Sequence, residues 1–284
     1  MNSELAFSRR RFLANSAPGI GGLVLASLFA QEGLLAETTD PLAPRLPPLP
    51  ARAKRCIFFL PEGGPSQMDL FDPKPKLQEL HGQKLPESLV ERVRFAFIKK
   101  DTAVLAGSPR VFRRHGQCGM ELSDFLPRLA ECADDLCLIR SMHTDSFNHH
   151  PAQLMLNSGI PRFGRPSMGS WLTYGLGTES SDLPAYVVLT AGRGGSGGVS
   201  NWSSGFLPST YQGVLLRNQG DPILHLTSPP GVTREQDRVS LDALRSLNQQ
   251  RLADLADPEI ASRIAAYELA FRMQSAAPEL VDLT

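Results

Sequence analysis

The sequence predicts an α/β protein in which a parallel sheet lies between helices. Short continuous apolar runs at residues 56–60, 136–139 and 183–190 are bounded by turn-forming residues, and helical patterns separate them. Runs this short are typical of strands that are buried on both faces. Alternation of such strands with helices favours a parallel sheet with helices on its faces. The 24 glycines and 23 prolines in 284 residues add many loops.

The first 36 residues predict an export signal. Paired arginines at residues 8–13 (Ser-Arg-Arg-Arg-Phe-Leu) precede a mildly apolar stretch at 17–30. This order is typical of a twin-arginine signal. The stretch is too short and glycine-rich to span a bilayer, which takes about 20 apolar residues. We therefore expect the twin-arginine translocase as an export partner, no stable membrane span, and a periplasmic or extracellular location.

A proline-rich linker at residues 37–53 separates this signal from the expected folded region at 54–284. Prolines keep such a segment extended and unable to form a helix. Basic and acidic residues number 29 each, so the net charge is zero. Nucleic acid is not an expected partner, since its binding requires a basic face. Cys132 and Cys137 either pair in an oxidising compartment or are small buried thiols.

Helices are predicted from apolar spacing together with start and stop signals. Ser123 is a candidate N-cap for a helix that carries Leu126 and Leu129. Another helix runs from 151 to 157 and stops at Gly159. The remaining predicted elements are a helix at 75–81, a helix at 168–174, a flexible glycine-rich loop at 192–198, an aromatic turn-rich loop at 201–213, and two amphipathic helices over 241–255 and 260–273.

Polar residues follow the first predicted strand, where an open α/β sheet places its sites. Glu62 and Asp69 are candidate ligands for a hard or borderline cation, and Ser66 is a candidate hydrogen-bond donor to a ligand oxyanion. A plain strand-to-helix turn capped by Ser and Asp explains the same residues.

A histidine cluster follows the second predicted strand. His143, His149 and His150 are three of the six histidines in the chain. Imidazole is the commonest transition-metal ligand and the usual proton shuttle near neutral pH. Adjacent histidines rarely bind one metal together, so either His149 or His150 would be the ligand. The alternative is a structural role, in which the imidazoles cap the next helix.

Seven segments of the chain closely resemble one known family. They are Gly-Gly-Pro-Ser-Gln-Met-Asp-Leu-Phe-Asp-Pro-Lys-Pro at 63–75, Ile-Arg-Ser-Met-His-Thr-Asp at 139–145, Asn-His-His-Pro-Ala at 148–152, Pro-Ser-Met-Gly-Ser-Trp-Leu-Thr-Tyr-Gly-Leu-Gly-Thr-Glu at 166–179, Leu-Pro-Ala-Tyr-Val-Val-Leu at 183–189, Gly-Phe-Leu-Pro-Ser-Thr-Tyr-Gln-Gly at 205–213 and Tyr-Glu-Leu-Ala-Phe-Arg-Met-Gln at 267–274. The family is the exported, sulfatase-like family of domain of unknown function 1501, related to the alkaline phosphatase superfamily.

The resemblance implies a large parallel sheet of the alkaline-phosphatase/sulfatase type, with divalent metal (Ca, Zn or Mn) at its strand ends. It also implies hydrolysis of sulfate or phosphate esters. Glu62, Asp69, His143 and His149 would face a common cleft as metal ligands or a proton relay. In related sulfatases a cysteine or serine nucleophile opens a helix, whereas His149 occupies that place here, which argues against a formylglycine mechanism.

Family members are longer, and their later halves carry further Asp and His motifs that resemble metal ligands. We therefore expect this chain to be an N-terminal portion of a longer protein, with a fold incomplete at the C-terminus. If its metal site is also incomplete, the chain is inactive alone. A second hypothesis is that the chain is a non-catalytic exported protein. It would bind anionic or sulfated glycans through Arg140, Arg162 and Arg165, since guanidinium groups pair well with sulfate. A third is a fragment with no stable fold, in which missing strands leave an aggregation-prone edge.

Overall fold

The computed structural model describes residues 40–281 except 48, 93–98, 192–194, 218–222, 224–226 and 256. Within these residues the chain is a mixed α/β protein with two small sheets, one of them a parallel pair. The elements in chain order are α1 (Gln67–Leu70), α2 (Pro75–Glu79), α3 (Glu87–Arg92), β1 (Phe112–His115), β2 (Met120–Ser123), α4 (Pro127–Ala130), α5 (His149–Ser158), α6 (Met168–Leu176), β3 (Val187–Leu189), β4 (Val214–Leu216), α7 (Arg234–Leu255) and α8 (Pro258–Val281), with 3-10 helices at Ala133–Asp135, Gly198–Trp202 and Ser209–Tyr211.

The chain divides into two compact units. The first, which we call the N-terminal unit, comprises Leu49–Arg165 and Ala191–Asn201. The second, the C-terminal unit, comprises Pro166–Thr190 and Trp202–Thr284, together with the segment before residue 49. Both units are therefore built from segments that are distant in sequence.

The N-terminal unit packs around a β-hairpin. Strands β1 and β2 pair antiparallel, with Phe112 opposite Ser123. Leu122 is completely buried and packs with Ala130 and Ala133, while Phe71 lies against this cluster. Burying a leucine side chain stabilises a fold by about 1.5–3 kcal/mol. This small cluster is the apolar core of the unit among the residues described.

Helix α5 belongs to the same unit and has a buried polar face. Gln153 and Asn157 lie four residues apart and are both buried. The helix ends where predicted, because Gly159 adopts a left-handed conformation (φ 80°) and donates its N–H to Met155 O at 2.9 Å. The N-cap residue Asn148 makes no side-chain hydrogen bond to the first turn.

The C-terminal unit contains the parallel pair and the two long helices. Strands β3 and β4 pair with Val187 opposite Val214. The predicted strand at 183–190 is thus confirmed only over residues 187–189, and its parallel partner agrees with the coarse fold class. Helix α6 starts at the cap Ser167, whose hydroxyl accepts the N–H of Ser170.

Helices α7 and α8 pack together and share a charged cluster. Arg238 donates two hydrogen bonds to the Glu268 carboxylate, at 2.9 and 2.8 Å, and also pairs with Asp242. Such a bidentate pair fixes the rotation of one helix relative to the other. The two helices predicted near the C-terminus are confirmed as helices, as are the predicted helices at 75–81, 151–157 and 168–174.

Two of the three predicted strands are wrong. Residues 56–60 and 136–139 form no strand. Ile57, Phe59 and Ile139 are 94%, 84% and 61% exposed. A buried strand needs neighbouring strands that take its backbone hydrogen bonds. Within the described part of the chain neither run has such a partner, so apolar composition alone predicted them incorrectly.

Two further local predictions are corrected. Ser123 ends β2 rather than capping a helix, and α4 begins only at Pro127, where proline suits the first turn. The four cysteines are all free and exposed, so Cys132 and Cys137 neither form a disulfide nor lie buried. Residues between them form a 3-10 turn that contributes only Ala133 to the core.

Several predictions fall on residues outside the described set. The export signal at 1–36 lies there entirely, as do residues 37–39 and 48 of the linker and 192–194 of the glycine-rich loop. Among the helices that are described, none combines the length and apolar character needed to cross a membrane. The larger parallel sheet of the alkaline-phosphatase type stays a prediction.

Candidate functional site

Glu62 is the centre of a hydrogen-bond network in the N-terminal unit. It lies in a turn closed by a hydrogen bond from Gly64 N to Pro61 O. Its Oε1 atom accepts from Gln153 Nε2 at 3.0 Å and from Ser196 N at 2.8 Å. These two donors come from α5 and from the loop after residue 194. One carboxylate oxygen thus joins three segments that are far apart in sequence.

The amide of Gln153 connects the same three segments from within the protein. Only 7% of this residue is exposed. Its Oε1 atom accepts three hydrogen bonds, from Gly197 N at 2.9 Å, Asn201 Nδ2 at 3.2 Å and Ser196 Oγ at 3.3 Å. A buried amide with both ends bonded is a rigid connection, because breaking it leaves buried donors unmatched.

Glycine is required where the loop meets this amide. A Cβ atom added to Gly197 would lie 2.4 Å from Asn201 Oδ1, which is closer than van der Waals contact allows. A Cβ on Gly195 would lie 3.1 Å from Gln153 Oε1 and 3.5 Å from Glu62 Oε2. The glycine-rich loop therefore brings its backbone close to the network, a use that only a residue without a side chain permits.

The network lowers the pKa of Glu62 from its ordinary value of 4.5. The hydrogen bond from Gln153 is the largest cause, followed by that from the Ser196 backbone, and desolvation opposes them. The charge of His149 contributes a smaller lowering, which indicates that this imidazole lies within electrostatic range of the carboxylate. Glu62 and His149 interact through their charges, and among the described residues they form no ion pair with each other.

A loop after α5 folds back towards the first turn of that helix. The rings of His150 and Phe163 are 5.3 Å apart in an edge-to-face contact. His150 is the second residue of α5, whereas Phe163 follows its last residue by five. Arg162 and Arg165 flank Phe163 and are exposed, and no acidic side chain in the described ranges forms an ion pair with either.

Asp69 and Ser66 occupy a different environment from Glu62. Hydrogen bonds from Ser108 and Ser66, in that order, lower the pKa of Asp69, and the charge of Arg110 adds to them. Ser66 precedes the four-residue helix α1. None of these partners is shared with Glu62. The structure therefore pairs Ser66 with Asp69, although the Ser66 side chain makes no capping hydrogen bond to α1.

The remaining predicted residues are separate. Arg140 lies 3.8 Å from Asp72, which also binds Lys74 at 2.7 Å, so this guanidinium has an acidic neighbour already. His143 is exposed, in the turn-rich segment before α5. The Arg140 contact reduces its availability to an external anion, whereas Arg162 and Arg165 form no ion pair with any of the described residues.

The possible metal ligands around Glu62 do not by themselves form a complete metal centre. Zinc sites normally take three or more protein ligands. Here Glu62 Oε1 is already occupied by two N–H donors, which leaves Oε2 and the imidazole of His149. Across the described residues, no three His, Cys, Asp or Glu side chains are grouped closely enough to hold an ion. The metal site stays a prediction, and no chemical step is derived through it.

Sequence reasoning missed Gln153, Ser196 and Asn201. Neutral side chains of this kind carry no charge pattern or ligand spacing that would distinguish them in one sequence. Two signals were present. Gln153 follows His150 by three residues, on the same face of α5, and two glycines flank Ser196. Only the folded chain shows that these positions meet.

Comparison with protein families gives one result that covers most of the chain. The family model described as protein of unknown function (DUF1501) matches residues 53–284. Comparison with curated proteins and with solved structures gives no match. The matched region contains every residue of the Glu62 network. The chain belongs to the family of proteins of unknown function DUF1501.

Proposed function

We propose that the protein is an exported, sulfatase-like hydrolase of sulfate or phosphate esters, acting at the first turn of α5. The observation that supports this proposal is the ionised carboxylate of Glu62, whose pKa is lowered in part by the charge of the exposed His149 imidazole. Imidazoles near a carboxylate are suited to moving protons. Export by the twin-arginine translocase and a periplasmic or extracellular location are parts of the same proposal.

In the proposed reaction His149 removes a proton from an attacking water molecule. The water oxygen bonds to sulfur or phosphorus, the bond from that atom to the ester oxygen breaks, and the alcohol leaves with the proton that the His149 imidazolium gives back. Glu62 acts as a positioning residue, because its negative charge stabilises the imidazolium that forms. Gln153 and Ser196 hold that carboxylate ionised and in place through their hydrogen bonds.

Groups that favour an anion lie near the same turn. A helix N-terminus carries a partial positive charge, and Asn148 leaves that of α5 without a side-chain cap. Arg162 and Arg165 are brought back towards the turn by the contact between Phe163 and His150. Guanidinium groups bind sulfate and phosphate through paired hydrogen bonds. These features support an anionic ester as the substrate class.

A divalent ion remains part of the proposal, because the family resemblance implies one. Glu62 and His149 are its candidate ligands, with Asp69 and His143 as further expected ligands. When bound, Ca, Zn or Mn would polarise the ester and lower the pKa of water. We also propose that the fold contains an alkaline-phosphatase-like sheet. Further metal ligands would come from a polypeptide segment outside this chain.

The second candidate is a non-catalytic protein that binds anionic or sulfated glycans. It is favoured by the exposed guanidinium groups of Arg162 and Arg165, which form no ion pair among the described residues and would bind an anion without any catalytic group. In that function Glu62 and His149 would be structural. The two candidates differ in whether an ester bond is broken.

One experiment separates the two candidates. The full-length, exported chain is incubated with sulfated and phosphorylated monosaccharides, with Ca, Zn or Mn added in turn. Ion chromatography measures released sulfate or phosphate, and titration calorimetry measures binding. Release supports the hydrolase, whereas binding without release supports the binding protein. A folded chain that neither releases nor binds any of these compounds refutes both.

A further inference from the structure

Helix α7 carries a row of exposed apolar side chains. Val239, Ala243 and Leu247 follow one another at four-residue intervals, so they form one ridge along the helix. All three are exposed, Val239 to 69% and Leu247 to 59%. Leu255 extends the ridge towards the end of the helix and is 66% exposed. Apolar side chains that lie exposed in one contiguous row indicate an interaction surface.

The opposite side of α7 is the one that packs against α8. Arg238 pairs with Glu268 of α8, and Asn248 is buried. Arg238 and Asn248 each lie five positions from Ala243, and five positions turn an α-helix by about 140° away from a given side. Across the described residues, the contact between α7 and α8 therefore leaves the row uncovered.

Charged residues of opposite sign close the row at its two ends. Glu235 precedes Val239 by four positions, and Arg251 follows Leu247 by four. Both are exposed, and neither forms an ion pair with any described residue. The order along the row is thus acidic, apolar, small, apolar and basic. It is symmetric about Ala243 except for the sign of the charge.

A row with this order is complementary to itself when a second copy runs in the opposite direction. A two-fold axis at Ala243 places Val239 against Leu247 of the second copy. It also places Glu235 against Arg251 of the second copy, and symmetry forms this pair twice. The small side chain of Ala243 allows close approach where two four-residue ridges cross, at about −50°. A parallel arrangement would instead set like charges against each other.

We propose that the protein forms a two-fold symmetric dimer by antiparallel packing of α7 against α7 of a second copy. A contact confined to one helix from each copy is a small interface, so we expect a weak dimer with a dissociation constant in the micromolar range. A membrane surface or an unrelated helix would also cover an apolar row. Neither explains why its ends carry opposite charges at equal distances from a small residue. The inference goes beyond the proposed function, since α7 lies in the C-terminal unit and the Glu62 network in the N-terminal unit.

Sedimentation velocity of the full-length chain, at micromolar to submillimolar concentrations, measures the dimer directly. Glu235→Arg and Arg251→Glu each set like charges together at two places, and we expect each to weaken dimerisation at least tenfold. The double variant restores opposite charges, so it should dimerise within threefold of the unmodified chain. Arg263→Glu is the matched control, because Arg263 is an exposed residue of α8 that forms no ion pair in the described part of the chain. It should leave the dimer unchanged. Circular dichroism checks that each variant is folded.

A mixture of the two single variants separates self-association from binding of another partner. The Glu235→Arg chain has two basic ends to its row, whereas the Arg251→Glu chain has two acidic ends. We expect an equimolar mixture to form a heterodimer, although neither variant dimerises well alone. A chain that stays monomeric at all these concentrations overturns the proposal, whether or not the row binds lipid vesicles or another protein. A dimer whose dissociation constant changes less than twofold in both single variants overturns it equally.

Discussion

Replacing Gln153 by leucine tests the network directly. Leucine keeps similar volume and helix propensity at this position of α5 but removes both ends of the amide. Gly197 N and Asn201 Nδ2, both in buried residues, then lose their acceptor. At about 1–3 kcal/mol for each unmatched buried donor, the expected destabilisation is about 2–6 kcal/mol. That is a large part of the 5–15 kcal/mol by which a native domain is usually stable.

Urea unfolding and amide hydrogen exchange measure this effect on the full chain. We expect the Gly197 amide to exchange at least tenfold faster in Gln153→Leu, because local opening follows the lost hydrogen bond. Gln67→Leu in the same unit is the matched control, since that glutamine is exposed and its side chain makes no hydrogen bond in the described structure. The control should change stability by less than about 0.5 kcal/mol. Equal effects of the two substitutions, with Gly197 still protected, would refute the reasoning.

Three more predictions concern stability. Leu122→Ala should destabilise the N-terminal unit by about 2–5 kcal/mol in urea unfolding, because Leu122 is fully buried in its core; a loss below about 1 kcal/mol would contradict this packing. Glu268→Gln should reduce stability mainly near neutral pH. Hydrogen bonds from Arg238 lower the pKa of Glu268 in the folded protein. The stabilisation by ionised Glu268 is therefore present above the pKa that this residue has in the unfolded chain, and it is lost as pH falls through the lower folded pKa. An equal loss of stability at all pH values would argue against the ion pair. Gly169→Ala should lower the melting temperature, because the new Cβ would lie 2.4 Å from the ring of Tyr186, and an unchanged melting temperature would show that this ring moves freely.

Local signals predicted the helices well. The end of helix α5 was predicted from the stop signal at Gly159. In the structure Gly159 adopts the left-handed conformation that ends a helix. Strands could not be predicted in this way, because a strand depends on a partner elsewhere in the chain, as β3 depends on β4. Residues 56–60 and 183–190 are both apolar runs. Only the run at 183–190 contains a strand, which pairs with β4. The sequence contains no local feature that separates the two.

The site was predictable only in its charged residues. Glu62 and His149 were identified by their side-chain chemistry and by their position after apolar runs. Ser196, which is 134 residues from Glu62 and donates to it, gave no signal beyond its flanking glycines. Gln153 and Asn201 are neutral, and their role depends on burial, which a single sequence does not show. These three residues could not be predicted, because they are far from Glu62 in the sequence and their side chains carry no charge.

The rate of ester hydrolysis by His149→Ala tests the central proposal most directly. The sulfate or phosphate ester that the full-length chain hydrolyses fastest is given to this variant and to Met155→Ala, a matched substitution at a partly exposed position of the same helix. We predict that His149→Ala lowers kcat at least 100-fold, the usual size of a lost acid–base group, and that Met155→Ala changes it less than threefold. A rate for His149→Ala within threefold of the unmodified chain would contradict the proposed site.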